Sequence, residues 1–338
     1  MIGQFAPDID LEARSEVASL LGEWLSADTL QRVKVSILTG GAVNRSFLVE
    51  GPDERYVLRV APPAQHTGQI GIDMANSATV ARIAGDAGVG PRLFGVRHPE
   101  GHSLIEFVPG VLNVETLRQP GRLRDVGRAV RLLHELSVDG VRAVSAFGEV
   151  DEWLASAAAQ GVPCLDAFAA LRPQFEQARD VLEHVEGRCL SHRDLNPQNC
   201  IHTGDSVKLI DWDFSGIDSP YLDLAMLMTY ADLSESEADE LLAAAIGDVQ
   251  PADRARVQLM RFAHALREWA WTLTARGSLA GSTHTDLGLL PTEAEATEDF
   301  YVAYGDVNWR FAQRFAADLR FDTWLAEAAS ELPAPGFR

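Results

Sequence analysis

The apolar positions of the chain change their period several times. Val17, Leu20, Leu21, Trp24 and Leu25 recur at i, i+3, i+4, i+7 and i+8, which predicts a helix over 11–25 with one buried stripe. The runs VKVSILTGGAVNRSFLVEG (33–51) and RYVLRVAPP (55–63) are rich in β-branched residues and are separated by the turn residues GPDE. They predict antiparallel strands joined by hairpins. Residues 72–88 return to helical spacing and stop at Gly88, with Pro91 just beyond. SLIEFVPG (103–110) predicts a strand leading into a connector.

From residue 121 onward helical patterns dominate. Leu123, Val126, Val130 and Leu133 share one face, and further helices are expected over 165–185, 221–232, 235–246, 253–276 and 293–329. GSLAGSTHTDLGLLP (277–291) predicts a long loop. The expected class is α+β: a small, β-rich lobe over 1–106 and a larger, mainly helical lobe over 107–338.

Composition narrows the partners. The 338 residues carry 29 basic and 49 acidic side chains, a net charge of −20. That disfavours nucleic acid and anionic membranes, which select a basic face, and it is compatible with a cationic small substrate. The number and spacing of Cys164, Cys189 and Cys200 suggest neither a disulfide framework nor a zinc site. With no apolar run long enough to span a bilayer and no basic-then-apolar leader, the expected location is the cytoplasm. Oligomeric state is not legible.

Between two of the helical segments lies a polar hairpin, LSHRDLNPQNCI (190–201) followed by LIDWDFSG (209–216). Strands NCIH and VKLI, turning at TGDS, bring Asn199 beside Asp211 although twelve positions separate them. Two oxygen donors at adjacent strand ends suit a hard cation such as Mg²⁺, which takes few protein ligands beside phosphates and water. Asp194, five residues before Asn199, is then placed to accept a proton from a hydroxyl while the cation neutralises a transferred phosphoryl group.

HRDLNPQN has the H-x-D-x-x-x-x-N spacing of kinase catalytic loops, and Asp211 stands where kinases carry a metal-binding Asp. Together HRDLNPQN, KLIDWDFSG and SPYLDLA resemble the choline kinase and aminoglycoside phosphotransferase superfamily, above all its bacterial choline-kinase-like members. The resemblance runs from about residue 33 to 310 and implies a bilobal, protein-kinase-like fold using ATP and Mg²⁺. Asp194 is then the catalytic base, Asn199 and Asp211 the metal ligands, and His192 and Asp223 loop supports. Asp213 is either an accessory carboxylate at the metal or a solvated turn residue.

Upstream, LTGGAVNRSFLV resembles the family's phosphate-covering turn, assigning Thr39, Gly40, Gly41, Asn44 and Ser46 to the nucleotide. Arg59 of YVLRV takes the place of the strand lysine that pairs the phosphates. Backbone groups of Glu106, Phe107 and Val108 are expected to meet adenine. The family's helix glutamate that steadies the strand cation falls near Ser77, where MANSAT offers no acid. Asp73, one turn earlier, is the expected substitute.

For the acceptor, LREWAWTL supplies Glu268, Trp269 and Trp271, and EDFYVAYGDVNWRF supplies Tyr301, Tyr304 and Trp309. Aromatic faces and a carboxylate suit an ammonium group, although aromatics at such spacing also pack cores. The expected activity is phosphorylation of a small amino alcohol such as choline or ethanolamine. The alternatives are an aminoglycoside, thiamine or amino-sugar acceptor, or a nucleotide-binding pseudokinase that regulates by interaction.

Overall fold

Asp10 opens the first helix by accepting the Ala13 N–H at 2.8 Å, which pairs a donor that no helical carbonyl reaches. The computed structural model describes residues 2–38, 44–62, 67–68, 70–110, 113–184, 187–204, 206–279 and 298–330. That first helix, α1 (Leu11–Trp24), fully buries Val17, Leu20 and Leu21. They pack on a sheet whose inward residues include Val35, Phe47, Val49, Leu58 and Leu104. A short α2 (Ala27–Arg32) leads into the strands. Those are β1 (Gln4–Phe5), β2 (Lys34–Leu38), β3 (Arg45–Glu50), β4 (Arg55–Val60), β5 (Leu93–Arg97) and β6 (His102–Glu106). Their order is β1-β2-β3-β4-β6-β5, antiparallel throughout except for β1 on β2.

Helix α3 (Met74–Asp86) lies between β4 and β5 in sequence and contacts β5, but none of its residues joins the sheet's core. Its Val80 and Ala84 join the core of the helical part, beside Leu209 and Trp212. Polar contacts repeat the attachment. Asn76 donates to the Ser215 carbonyl at 2.7 Å and accepts the Arg142 N–H at 2.8 Å. The Leu209 N–H donates to the Val89 carbonyl at 2.9 Å. The helix stops at Gly88, whose φ of +74° is the left-handed turn anticipated there.

The helical part comprises α4 (Val114–Leu117), α5 (Arg122–His134), α6 (Ala146–Ala159), α7 (Leu165–Ala169), α8 (Arg172–Leu182), α9 (Pro220–Tyr230), α10 (Glu235–Ile246), α11 (Pro251–Leu279), α12 (Glu298–Ala316) and α13 (Phe321–Ala328). The long α11 is its axis, packed by α6, α9, α12 and α13. Two expected helices are each divided. The one over 165–185 breaks before Pro173, which restarts a helix at its first turn. The one over 293–329 breaks at residues 317–320, where the Asp318 carboxylate accepts the Arg320 N–H at 2.9 Å. Helix α6 was not anticipated, though its buried Phe147, Val150, Leu154 and Ala157 fall at i, i+3, i+7 and i+10.

Four short strands carry the polar hairpin: β7 (Cys189–Ser191), β8 (Cys200–His202), β9 (Val207–Leu209) and β10 (Gly216–Asp218). β8 pairs antiparallel with β9, Cys200 opposite Leu209, and β7 pairs with β10. The cysteines are buried and form no disulfide. Among the described residues no helix is long and apolar enough to cross a membrane. The expected loop over 277–291 begins as helix to residue 279 and otherwise lies outside the described residues.

Candidate active site

The β8–β9 ladder continues one bond past its strands, the Ile210 N–H donating to the Asn199 carbonyl at 3.0 Å. This sets Asn199 opposite Ile210, with Asp211 the next residue along. Asn199 ends a 3-10 turn (Pro197–Asn199) capped by Asn196, whose Oδ1 accepts the Gln198 and Asn199 N–H groups at 2.9 and 3.2 Å. The Asn199 side chain turns back, its Nδ2 donating to the Asp194 carbonyl at 2.8 Å and to Asp194 Oδ2 at 3.1 Å. Burial pushes the Asp194 carboxyl well above the usual carboxylate range, and the charges of Asp211 and Glu268 push it further. A carboxylate so raised is a better proton acceptor than a solvated one.

The loop is held from behind. Asp223, fully buried on α9, accepts the His192 and Arg193 N–H groups at 3.0 and 2.8 Å and contacts His134 Nε2 at 2.9 Å. Burial alone would raise Asp223, but the hydrogen bond and charge of His134 outweigh it and hold the carboxyl low. These bonds fix Arg193 at φ +63°, a conformation that is uncommon for a residue with a side chain. His192 Nε2 bonds the Ile210 carbonyl at 2.8 Å, and its ring lies 4.8 Å from that of Trp212. Burial lowers the His192 pKa, so the ring is neutral and braces the hairpin.

Arg59, on β4 opposite Ser46, reaches across to the hairpin. Its Nη2 donates to Asp211 Oδ1 at 2.9 Å and to Asp213 Oδ2 and Oδ1 at 3.1 and 3.2 Å. Asp213 is 5% exposed, which excludes a solvated turn residue. It also accepts from Asn44 Nδ2 at 2.8 Å and Ser77 Oγ at 3.1 Å. Asp73 does not substitute for the missing helix acid. Its carboxylate caps α3, accepting the Ala75 and Asn76 N–H groups at 3.1 Å. Thr39, Gly40 and Gly41 lie outside the described residues.

At the connector, the Glu106 N–H donates to the Arg92 carbonyl at 2.8 Å and the Phe107 N–H to the Arg55 carbonyl at 3.1 Å. The Val108 N–H has no backbone acceptor among the described residues, so of the three amides it is the one free to meet a base. Asn199 and Asp211 together offer hard oxygen donors, and the Asp211 side chain is 39% exposed. No cluster of three or more His, Cys, Asp or Glu suited to a metal occurs among the described residues. The donor set therefore fits a cation that shares its coordination with phosphate and water, as Mg²⁺ does, and not a metal caged by protein.

Residues 34–260, more than half of the chain, match the family described as phosphotransferase enzyme family. The chain belongs to the phosphotransferase enzyme family. Protein LicA of Haemophilus influenzae is 26% identical over 213 residues, a match that spans 60% of this chain and only 60% of that relative's length. Among solved structures, a choline/ethanolamine kinase family protein from Mesorhizobium loti superposes with a TM-score of 0.73 at 22% identity, covering 95% of this chain and 99% of that one. Spectinomycin phosphotransferase APH(9)-Ia, solved with ADP and spectinomycin, gives 0.57 at 12% identity, with coverage of 89% and 98%. The fold of this phosphotransferase chain is thus the kinase-like one, a small, mainly antiparallel sheet and a mostly helical remainder.

On the other side of Asp194 the phosphotransferase chain gathers part of its expected aromatic set. Tyr304 OH donates to Glu268 Oε2 at 3.0 Å and shares a 2.7 Å hydrogen bond with Tyr230 OH. Trp271 meets Tyr301 at 5.5 Å and Phe214 at 6.2 Å between ring centroids. Trp269 turns the other way on α11 and stacks on Trp309 at 4.4 Å. Glu268 also accepts from Arg267 Nη1 at 2.7 Å, and burial raises its pKa against that pairing.

Sequence reading missed Tyr230, Arg267 and Glu149. Arg267 Nε donates to Glu149 Oε2 at 2.5 Å, and Glu149 also pairs with Arg193 at 2.7 Å. Arg193 in turn holds Asp218 at 2.9 Å. The signal for Glu149 was the stripe of α6. Arg267 and Tyr230 gave none, because only their neighbours in space mark them.

Proposed function

We propose that the protein is a small-molecule O-phosphotransferase that moves the terminal phosphoryl group of ATP onto the hydroxyl of an amino alcohol such as choline or ethanolamine. The observation that carries this is the Asp194–Asn199–Asp211 cluster: an amide oriented onto a carboxylate of raised basicity, beside a second carboxylate open to solvent. Asp194 takes the hydroxyl proton as the oxygen attacks, and Asn199 keeps that carboxylate in place. Asn199 and Asp211 would hold a magnesium ion, which supplies charge neutralisation for the transferred group. Arg59 binds phosphate oxygens, and the Val108 N–H meets the base.

The amino-alcohol reading draws on Glu268, Tyr230 and Tyr304, which bring a carboxylate and two aromatic rings near Asp194, and on the Trp271–Tyr301 pair one turn along the same two helices. Similarity to a choline/ethanolamine kinase family protein supports the same class. The pseudokinase reading weakens, because Arg59 has carboxylate partners despite the acid missing near Ser77. ADP release measured with choline, ethanolamine, thiamine, amino sugars and aminoglycosides tests the proposal. Turnover is expected with an amino alcohol. Turnover confined to aminoglycosides would overturn the acceptor, and ATP binding without turnover on any acceptor would overturn the enzyme.

A further inference from the structure

We propose that Asp213 is a positioning residue: it is the fixed counter-ion that aims Arg59 at the nucleotide phosphates, a task for which α3 has no carboxylate. The inference rests on the phosphotransferase reading above and assigns one more residue within it. Ser77 of α3 meets Asp213 and brings no charge to the site, and Asp73 is committed to the helix cap. Asp213 supplies the charge instead. Each of its oxygens accepts from Arg59, Oδ1 also from Ser77 Oγ, and Oδ2 also from Asn44 Nδ2. Those four contacts fill the acceptor capacity of a carboxylate.

Asp211 differs. Among the described residues only its Oδ1 meets a protein donor, and its side chain remains 39% exposed. Both acids pair with Arg59, but Asp213 has all its acceptor sites filled by protein donors, which leaves Asp211 the freer of the two for a cation. Arg59 commits Nη2 alone to both, and among the described residues Nε and Nη1 meet no protein acceptor, which leaves them available to phosphate oxygens. The counter-ion itself cannot drift. Its turn is fastened by Asn76 to the Ser215 carbonyl and by the Ser215 N–H to the Trp212 carbonyl at 3.0 Å.

The test is a double-mutant cycle read by calorimetric Mg·ATP affinity, with melting curves to establish folding. Asp213→Ser is expected to weaken Mg·ATP binding about tenfold or more, while on an Arg59→Met background it adds less than about twofold. Adding Ser77→Glu to Asp213→Ser returns the carboxylate from the helix side, since Ser77 Oγ now stops one hydrogen bond short of it. That swap is expected to recover wild-type affinity to within about threefold and to leave the Mg²⁺ concentration requirement unchanged. A residue that ligates the cation or merely supports the fold would be neither silent without Arg59 nor replaceable from position 77.

Additive losses, or a swap that fails to rescue in a folded protein, overturn the inference. Wild-type protein that does not bind Mg·ATP overturns the functional reading and the inference with it. If Asp213→Ser does not fold, Asp213→Asn and Ser77→Ala enter the same cycle. Ser77→Ala is expected to cost about threefold, and nothing on the Arg59→Met background.

Discussion

At the scale of single residues the proposed roles separate chemistry from binding. Asp194→Asn keeps the hydrogen bond from Asn199 but removes the proton acceptor. It should lower kcat by ~10²–10⁴-fold with Mg·ATP affinity nearly unchanged, checked by turnover beside calorimetry. Asp211→Ala should weaken Mg·ATP binding and turnover together, and a titration of Mg²⁺ at fixed ATP should shift to higher metal. Unchanged metal dependence would remove Asp211 as a ligand. The gathering of Asp194, Asn199 and Asp211 was legible because catalytic-loop spacing and hairpin spacing agreed on it. Asp213 was legible only as a choice, since its burial and its pairing with Arg59 depend on a strand 154 positions away.

At the scale of elements, the chain's local signals placed α1, the hairpin strands, α3 and α10 where they stand, because each has its own stripe, cap or stop. They failed where tertiary packing decides. The breaks before Pro173 and at residues 317–320 interrupt patterns that continue on either side. α6 brings Glu149 between Arg193 and Arg267, so a helix missed in the sequence hides an ion network missed with it. Burial alone would raise Glu149, but the two guanidinium groups outweigh it and pull the carboxyl down to about 2.

A carboxyl depressed in the fold stabilises fully above its ordinary value of 4.5, and that contribution is lost as pH falls toward 2. Urea unfolding of the wild type should therefore lose stability over that window, and Glu149→Gln should flatten the loss. At neutral pH the same variant leaves Arg193 and Arg267 short of charge in a buried site, at a cost of ~3–5 kcal/mol. A smaller effect, with the acid limb unchanged, would show that the network is redundant.

At the scale of the whole molecule, a net charge of −20 sets a negative field around the protein. Such a field would concentrate the cationic acceptor proposed above and is screened by salt over about 8 Å at physiological ionic strength. Raising salt from low levels to roughly 0.15 M should lower kcat/KM for choline while leaving a neutral hydroxyl acceptor nearly unaffected. Equal salt sensitivity for both would remove steering from the account.

The attachment of α3 has a consequence for how the molecule comes apart. Residues 74–90 follow the sheet's central strands in sequence, yet they are bonded to Leu209, Ser215 and Arg142. Local opening follows contacts and not chain order. The amides of α3 should therefore exchange with solvent in step with those of β8 and β9, and more slowly than β1 and β2 at the sheet's margin. A graft that exchanged sheets between relatives would have to keep this helix with the hairpin and refit its contact with β5.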